Sequence, residues 1–137
     1  QSFFRMQIST PIEAANYLRR VMRADVEEFW ALALDSESNL LASECLFRGT
    51  VDCCLFHPRD VFRFACRLNA SSIIIAHNHP SQNPLPSKED RQITRNLLHA
   101  SRILSIPVVD HLIITDEKSF SFVENGLMGA PKKLSGP

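Results

Sequence analysis

Apolar residues along this chain recur in short segments, some at helical spacing and some in the alternating or continuous runs of strands. Thr10-Pro11-Ile12-Glu13 has the form of a helix start, with Thr10 as cap, Pro11 in the first turn and Glu13 completing a capping box. Ala14, Leu18 and Val21 mark one face and predict a helix that ends near Arg23. Phe29 to Leu34 predict a strand, Asp35 to Asn39 a turn, and Leu40 to Phe47 the returning arm of a hairpin. Gly49 breaks that arm, and Val51 to Phe56 predict a third strand. Pro58 opens a second helix with Val61, Ala65 and Leu68 on one face and Asn69 near its end.

Ser72 to Ala76 is apolar on both faces, as a central strand covered from two sides requires. Ser87-Lys88-Glu89-Asp90 reads as a capped start to a helix running to Leu104, with Ile93, Leu97, Ala100 and Leu104 as its apolar stripe. Pro107 ends the connection to a buried strand at Val108 to Thr115, and Phe120 to Val123 predict a short last strand. The order α-β-β-β-α-β-α-β-β implies an α/β fold, a mixed β-sheet with helices on both faces.

Composition narrows this to one domain. A chain of 137 residues with 45% apolar content builds a single substantial core, expected over about residues 8–128, with residues 129–137 as a loose tail. Fifteen basic residues balance fifteen acidic ones, so this stretch shows no strong nucleic-acid footprint. No apolar run reaches membrane-spanning length and nothing at the start resembles a signal peptide. Cys45, Cys53, Cys54 and Cys66 form neither a C-x-x-C pair nor a zinc-finger spacing, and read as buried or free thiols of a reducing, cytoplasmic compartment. The opening at Gln1 rather than Met reads as a piece of a longer protein.

The chemistry concentrates between His77 and Asp90. On an extended chain alternate side chains share a face, so His77 and His79 present two imidazoles to one point, their Cα atoms roughly 7 Å apart. A third ligand comes from Asp90, which lies three residues before Ile93 and extends the inward face of the helix. A buried carboxylate needs a partner, and a metal shared with two histidines supplies one. Three ligands with one position left open is the pattern of a catalytic zinc site. Such a site also needs a proton shuttle. Glu27-Glu28 stand at the start of the first strand, and Glu28 shares a face with Trp30, Leu32 and Leu34, pointing toward a covered side of the sheet.

These residues resemble the RadC family of the JAB/MPN superfamily, whose JAMM motif is a glutamate followed far downstream by H-x-H, seven residues, S, two residues, D. The chain has His77-x-His79, then Ser87 and Asp90 at those spacings, with Glu28 directly before Phe29. Phe47-Arg48-Gly49-Thr50, His57-Pro58-Arg59, Ala76-His77-Asn78-His79-Pro80-Ser81 and Asp110-His111-Leu112 extend the likeness over roughly residues 8–128. The resemblance implies a three-layer α/β/α sandwich of the cytidine-deaminase-like type and a zinc metallopeptidase. Carried over, His77, His79 and Asp90 bind one zinc ion per chain, Glu28 acts as general base and then acid, and Ser87 helps hold an oxyanion. Gln82 stands where the family usually has Gly, so a turn that needs positive φ there is strained.

Other titratable groups are expected to be structural: His57 at a helix start, His99 in solvent, and His111 as a hydrogen-bonded core histidine rather than a fourth ligand. A peptidase or isopeptidase acting on a peptide or protein is the leading reading. A non-catalytic JAB/MPN binding module and a metal-dependent enzyme of DNA metabolism are the alternatives, and a deaminase is disfavoured by the absent H-x-E and P-C-x-x-C signature. An extended peptide is expected to pair with the edge near Phe120 to Val123 or with the hairpin at Leu40 to Phe47. Phe3 and Phe4 are consistent with a homo-oligomer interface.

Overall fold

The computed structural model describes residues 5–49 and 56–129. Its elements are α1 (Pro11–Val21), β1 (Glu28–Leu34), β2 (Leu40–Arg48), α2 (Pro58–Arg67), β3 (Ser72–Asn78), α3 (Lys88–Leu104), β4 (Val108–Ile114) and β5 (Ser119–Ser121). The expected strand at Val51 to Phe56, Cys53, Cys54, Phe3, Phe4 and nearly all of the tail lie outside the described residues, Phe56 and Gly129 excepted.

Five strands form one sheet in the order β2-β1-β3-β4-β5. β1 pairs antiparallel with both β2 and β3, β3 pairs parallel with β4, and β4 pairs antiparallel with β5. The sheet is therefore mixed, as expected. A parallel pair needs a long crossover, and α3 supplies the one between β3 and β4. Strand alternation sorts the core into two layers. Leu32, Leu34, Ile74, Ala76, Leu112 and Ile114 face α1, through its Ala14, Ala15 and Leu18. Phe29, Ala31, Ala33, Ile73 and Ile75 face α2 and α3, through Val61, Ala65, Ile93 and Leu97. Helices thus cover both faces, in three layers. Among the described residues no helix is long and apolar enough to cross a membrane.

The element boundaries depart from expectation for local reasons. α1 stops at Val21, which is exposed, and Met22 is already extended. The N–H of Arg23 goes to Glu28 Oε1 at 2.8 Å rather than to a helical carbonyl. In α3 the buried stripe is Asp90, Ile93, Thr94, Leu97 and Ser101, while Leu104 is exposed and Ala100 only partly buried. At Asp90 and Thr94 the stripe is more polar than expected because the helix start faces His77, His79 and His111. β5 ends at Ser121 because Val123 N–H turns to the side chain of Asp110, 3.0 Å away, and leaves the sheet.

Candidate metal centre

His77 lies near the end of β3 with the parity of Ile73 and Ile75, which directs it to the face covered by α2 and α3. Phe29, its partner across the β1–β3 pair, stacks on it with 6.1 Å between ring centres. His79 follows just past the strand. Asp90 sits at the third position of α3, where Ser87 caps the helix through a reciprocal capping box. The capping box fixes the carboxylate: Ser87 N–H donates to Asp90 Oδ2 at 2.8 Å, and Asp90 N–H donates to Ser87 Oγ at 3.1 Å.

The three side chains converge. His77 Nε2 is 2.9 Å from Asp90 Oδ1, His79 Nε2 is 3.2 Å from Asp90 Oδ2, and the two Nε2 atoms are 3.0 Å apart. Burial disfavours a charge on Asp90, but hydrogen bonds from His77, His79 and the Ser87 N–H outweigh it and hold the carboxyl far below the usual carboxylate range. The same contact raises the pKa of His79, against its partial burial and with help from the carbonyl of Asn83.

The arrangement fits a metal. Tetrahedral ligands about 2.0–2.1 Å from an ion lie about 3.3 Å from one another, and here the two Nε2 atoms are 3.0 Å apart and each lies 2.9–3.2 Å from one of the two oxygens of Asp90. His79 Nδ1 is 2.7 Å from the carbonyl oxygen of Asn83, which only accepts. A hydrogen on Nδ1 answers that carbonyl, and with an ion in place of the hydrogen that Nε2 gives Asp90, Nε2 offers a lone pair, the usual support of a ligating histidine.

The two adjacent acids part company. Glu28 has the parity of Trp30, Leu32 and Leu34, as expected, but that is the α1 face, and His77 points to the other. Its buried carboxylate is held by Arg23 N–H (2.8 Å), Trp30 Nε1–H (3.0 Å) and Arg48 Nε–H (2.7 Å). Burial opposes its charge, but these donors win and its pKa is lowered. Glu28, expected as the shuttle, does not meet the histidines in the structure: the pleat of β1 turns it away from them. Glu27 stands on the histidine face instead. A carboxylate oxygen of Glu27 and ring nitrogens of His77 and His79 all lie within 4.8 Å of one another. Burial pushes the pKa of Glu27 up, the two histidines partly offset this, and Asp90 adds to it.

Asn78 connects these elements. Its amide donates to the carbonyls of Arg23 and Val26, both at 2.7 Å, and its oxygen accepts from Glu28 N–H at 2.6 Å. The residue between the two histidines thus holds the segment that carries Glu27. Sequence reasoning missed both roles, since each depends on β1 lying beside β3.

Ser87 is exposed, and its hydroxyl oxygen accepts the capping bond while its proton donates to no described residue. His99 is exposed, as expected, and His57 stands at the start of α2, as expected, with no side-chain capping bond. His111 is fully buried behind His77, and burial together with the nearby His77 holds its pKa well below the ordinary value. Cys45 is a poor nucleophile, since burial and then the nearby Glu28 raise its thiol. An open cleft of about 470 Å³, lined by Asp25, Glu27, Gly49, His79 and Pro80 among others, gives access to the centre.

A family model described as a RadC-like JAB domain matches residues 8–127. The chain belongs to that family. Relatives of this RadC-like domain include UPF0758 proteins of Symbiobacterium thermophilum, 39% identical over 125 residues, and of Thermotoga maritima, 42% identical over 120 residues. The alignments cover 90% and 88% of this chain but 53% and 54% of those proteins, so the chain spans about half the length of the curated relatives it matches. The mixed sheet and three helices agree with a JAB domain.

The loop of this RadC-like domain carries Gln82 at φ +69°, as expected if the turn needs the left-handed region. Gln82 Oε1 accepts Asp116 N–H at 2.9 Å, which ties the loop to the β4–β5 turn and offsets the strain. Gln82→Gly relieves the strain while losing that bond, whereas Gln82→Ala keeps the strain and loses it too. Chemical denaturation is expected to find the alanine variant less stable than the glycine variant by about 1 kcal/mol. Equal stability of the two would show that the backbone at position 82 carries no strain.

Proposed function

We propose that this domain is a zinc-dependent metallohydrolase that cleaves peptide or isopeptide bonds. The observation that carries the reading is the meeting of His77, His79 and Asp90, with Glu27 beside them, at an accessible cleft. His77, His79 and Asp90 would hold the ion. Bound there, zinc supplies Lewis acidity, polarising a scissile carbonyl and lowering the pKa of water.

The chain's own residues do the rest. Glu27 takes a proton from the attacking water as its oxygen bonds to the carbonyl carbon, and returns a proton to the amine nitrogen as the C–N bond breaks. A carboxyl with a raised pKa suits both halves of that exchange. Ser87 donates its hydroxyl proton to the oxyanion, a role compatible with its cap because the cap uses only a lone pair.

Metal analysis together with a panel of peptide and isopeptide substrates tests the reading. About one zinc per chain and hydrolysis abolished by chelation are expected. Wild-type protein that keeps no metal under non-chelating conditions would sink the metal assignment, and a zinc-loaded protein that cleaves no member of the panel would sink the peptidase.

A further inference from the structure

His111 on β4 is 0% exposed, and its Nε2 faces His77 Nδ1 at 2.8 Å. That is the side of the His77 ring turned away from Asp90 and His79, so His111 lies behind the ligand set. Two neutral ring nitrogens at this separation share one proton, and the next partner in the chain of bonds decides which of them owns it. His111 Nδ1 meets Thr94 Oγ1 at 2.5 Å, and that hydroxyl lies 2.9 Å from the carbonyl oxygen of Asp90. A carbonyl only accepts, and Thr94 has one proton to give. With that proton directed to the carbonyl four residues back, a common bond for a helical threonine, Oγ1 turns a lone pair toward His111.

The remaining protons follow. His111 Nδ1 carries its hydrogen and leaves Nε2 bare; Nε2 accepts from Nδ1–H of His77; and with a metal ion in the centre His77 Nε2 turns a lone pair to the ion rather than a hydrogen to the Asp90 carboxylate. Reversed polarity would place an N–H of His77 in the centre and block ligation. His79 needs no such device, because its Nδ1 rests on the Asn83 carbonyl, which cannot donate. His77 rests on a ring that can either donate or accept, so its tautomer depends on what Thr94 does. The ring of His111 is held for this purpose. Phe122 stacks on it at 4.3 Å with an interplanar angle of 13°, and Phe29 meets it edge-on at 6.0 Å.

We infer that Thr94 and His111 are positioning residues that fix His77 as the Nδ1–H tautomer, leaving Nε2 free to bind a metal ion. The inference rests on the metal reading above. Because the Thr94 bond ends on the carbonyl of Asp90, the relay joins one ligand to the backbone of another and couples their positions.

The test uses the zinc-loaded chain and two readouts that do not involve turnover. Imidazole 15N shifts report the tautomers, and chelator competition reports zinc affinity. In the wild type, both His77 and His111 are expected to be protonated at Nδ1. Thr94→Val, close in shape but without a hydroxyl, is expected to weaken zinc binding by about 10- to 100-fold and to release His111 from its Nδ1–H form, while Thr94→Ser keeps both properties. An Nε2–H signal for His111 in the zinc-loaded wild type overturns the relay, and this measurement does not depend on any variant folding. Wild-type affinity in folded Thr94→Val overturns it as well. A wild type that binds no zinc removes both the metal reading and this inference, whereas zinc binding indifferent to Thr94 removes the inference alone.

Discussion

Replacing Glu27 by Gln is expected to lower kcat by about 10²- to 10⁴-fold while leaving zinc content unchanged, the range a positioned general acid–base contributes. Glutamine keeps the shape and cannot carry the proton. The same change at Glu28 is expected to do something different. Its carboxylate binds Arg23 N–H, Trp30 and Arg48 on the far face of the sheet. Losing charge-assisted bonds there costs about 1–3 kcal/mol, toward the low end because Arg48 is more than half exposed. Glu28→Gln should therefore melt at a lower temperature and turn over substrate near the wild-type rate per folded, zinc-loaded molecule. Paired kinetics and thermal melts separate the two acids. A Glu27→Gln enzyme with wild-type kcat, or a Glu28→Gln enzyme that is stable but dead, would reverse the assignment.

Removing the metal is expected to have the second-largest effect, on stability. A ligand that binds only the folded state at a thousand times its Kd stabilises it by about 4 kcal/mol, so chelation should lower the melting temperature by many degrees. The size of the shift should depend on pH. In the metal-free protein the carboxyl of Asp90 is depressed, so its contribution is present above the unfolded value of about 3.9 and is lost as pH falls through the folded value. His79 is raised, so its contribution is present below about 6.5 and is lost as pH rises through the folded value. The metal-free protein thus gains most from the pair between those limits. Zinc competes with the proton on His79, so the zinc-induced shift in melting temperature should grow as pH rises above that window. Melts with and without chelator across pH 5–8 check this, and a shift that shrinks with rising pH would contradict His79 as a ligand.

Much of the fold was legible because its signals are local. Ser87 as the cap and Lys88–Leu104 as the helix follow from a capping box and a 3.6-residue period, and both are observed. The continuous apolar run of β3 marked a strand covered on both faces. The site was legible as far as one strand and one helix carry it, which brings His77, His79 and Asp90 together. The acid was not. Alternation correctly grouped Glu28 with Trp30, Leu32 and Leu34, but which face of β1 matches the face of His77 is set by pairing with β3. That register puts Phe29 opposite His77 and so selects Glu27, and no residue within β1 encodes it. His111 was placed in the core, as observed. Its bond to His77 required knowing that β4 runs parallel beside β3.

The pleat also gives the middle residue of H-x-H a consequence for protein design. Asn78 reaches through to the opposite side of the sheet and grips the backbone at Arg23, Val26 and Glu28. The peptide that presents Glu27 is thereby set before any substrate arrives, with its reorganisation completed during folding. An engineer who transplanted the two histidines and the aspartate onto another sheet, with any convenient residue between the histidines, would obtain a metal binder whose proton carrier drifts. On the function proposed above, the transferable unit is a tripeptide read from both sides of a strand: one side would hold the ion and the other would hold the base in register with it.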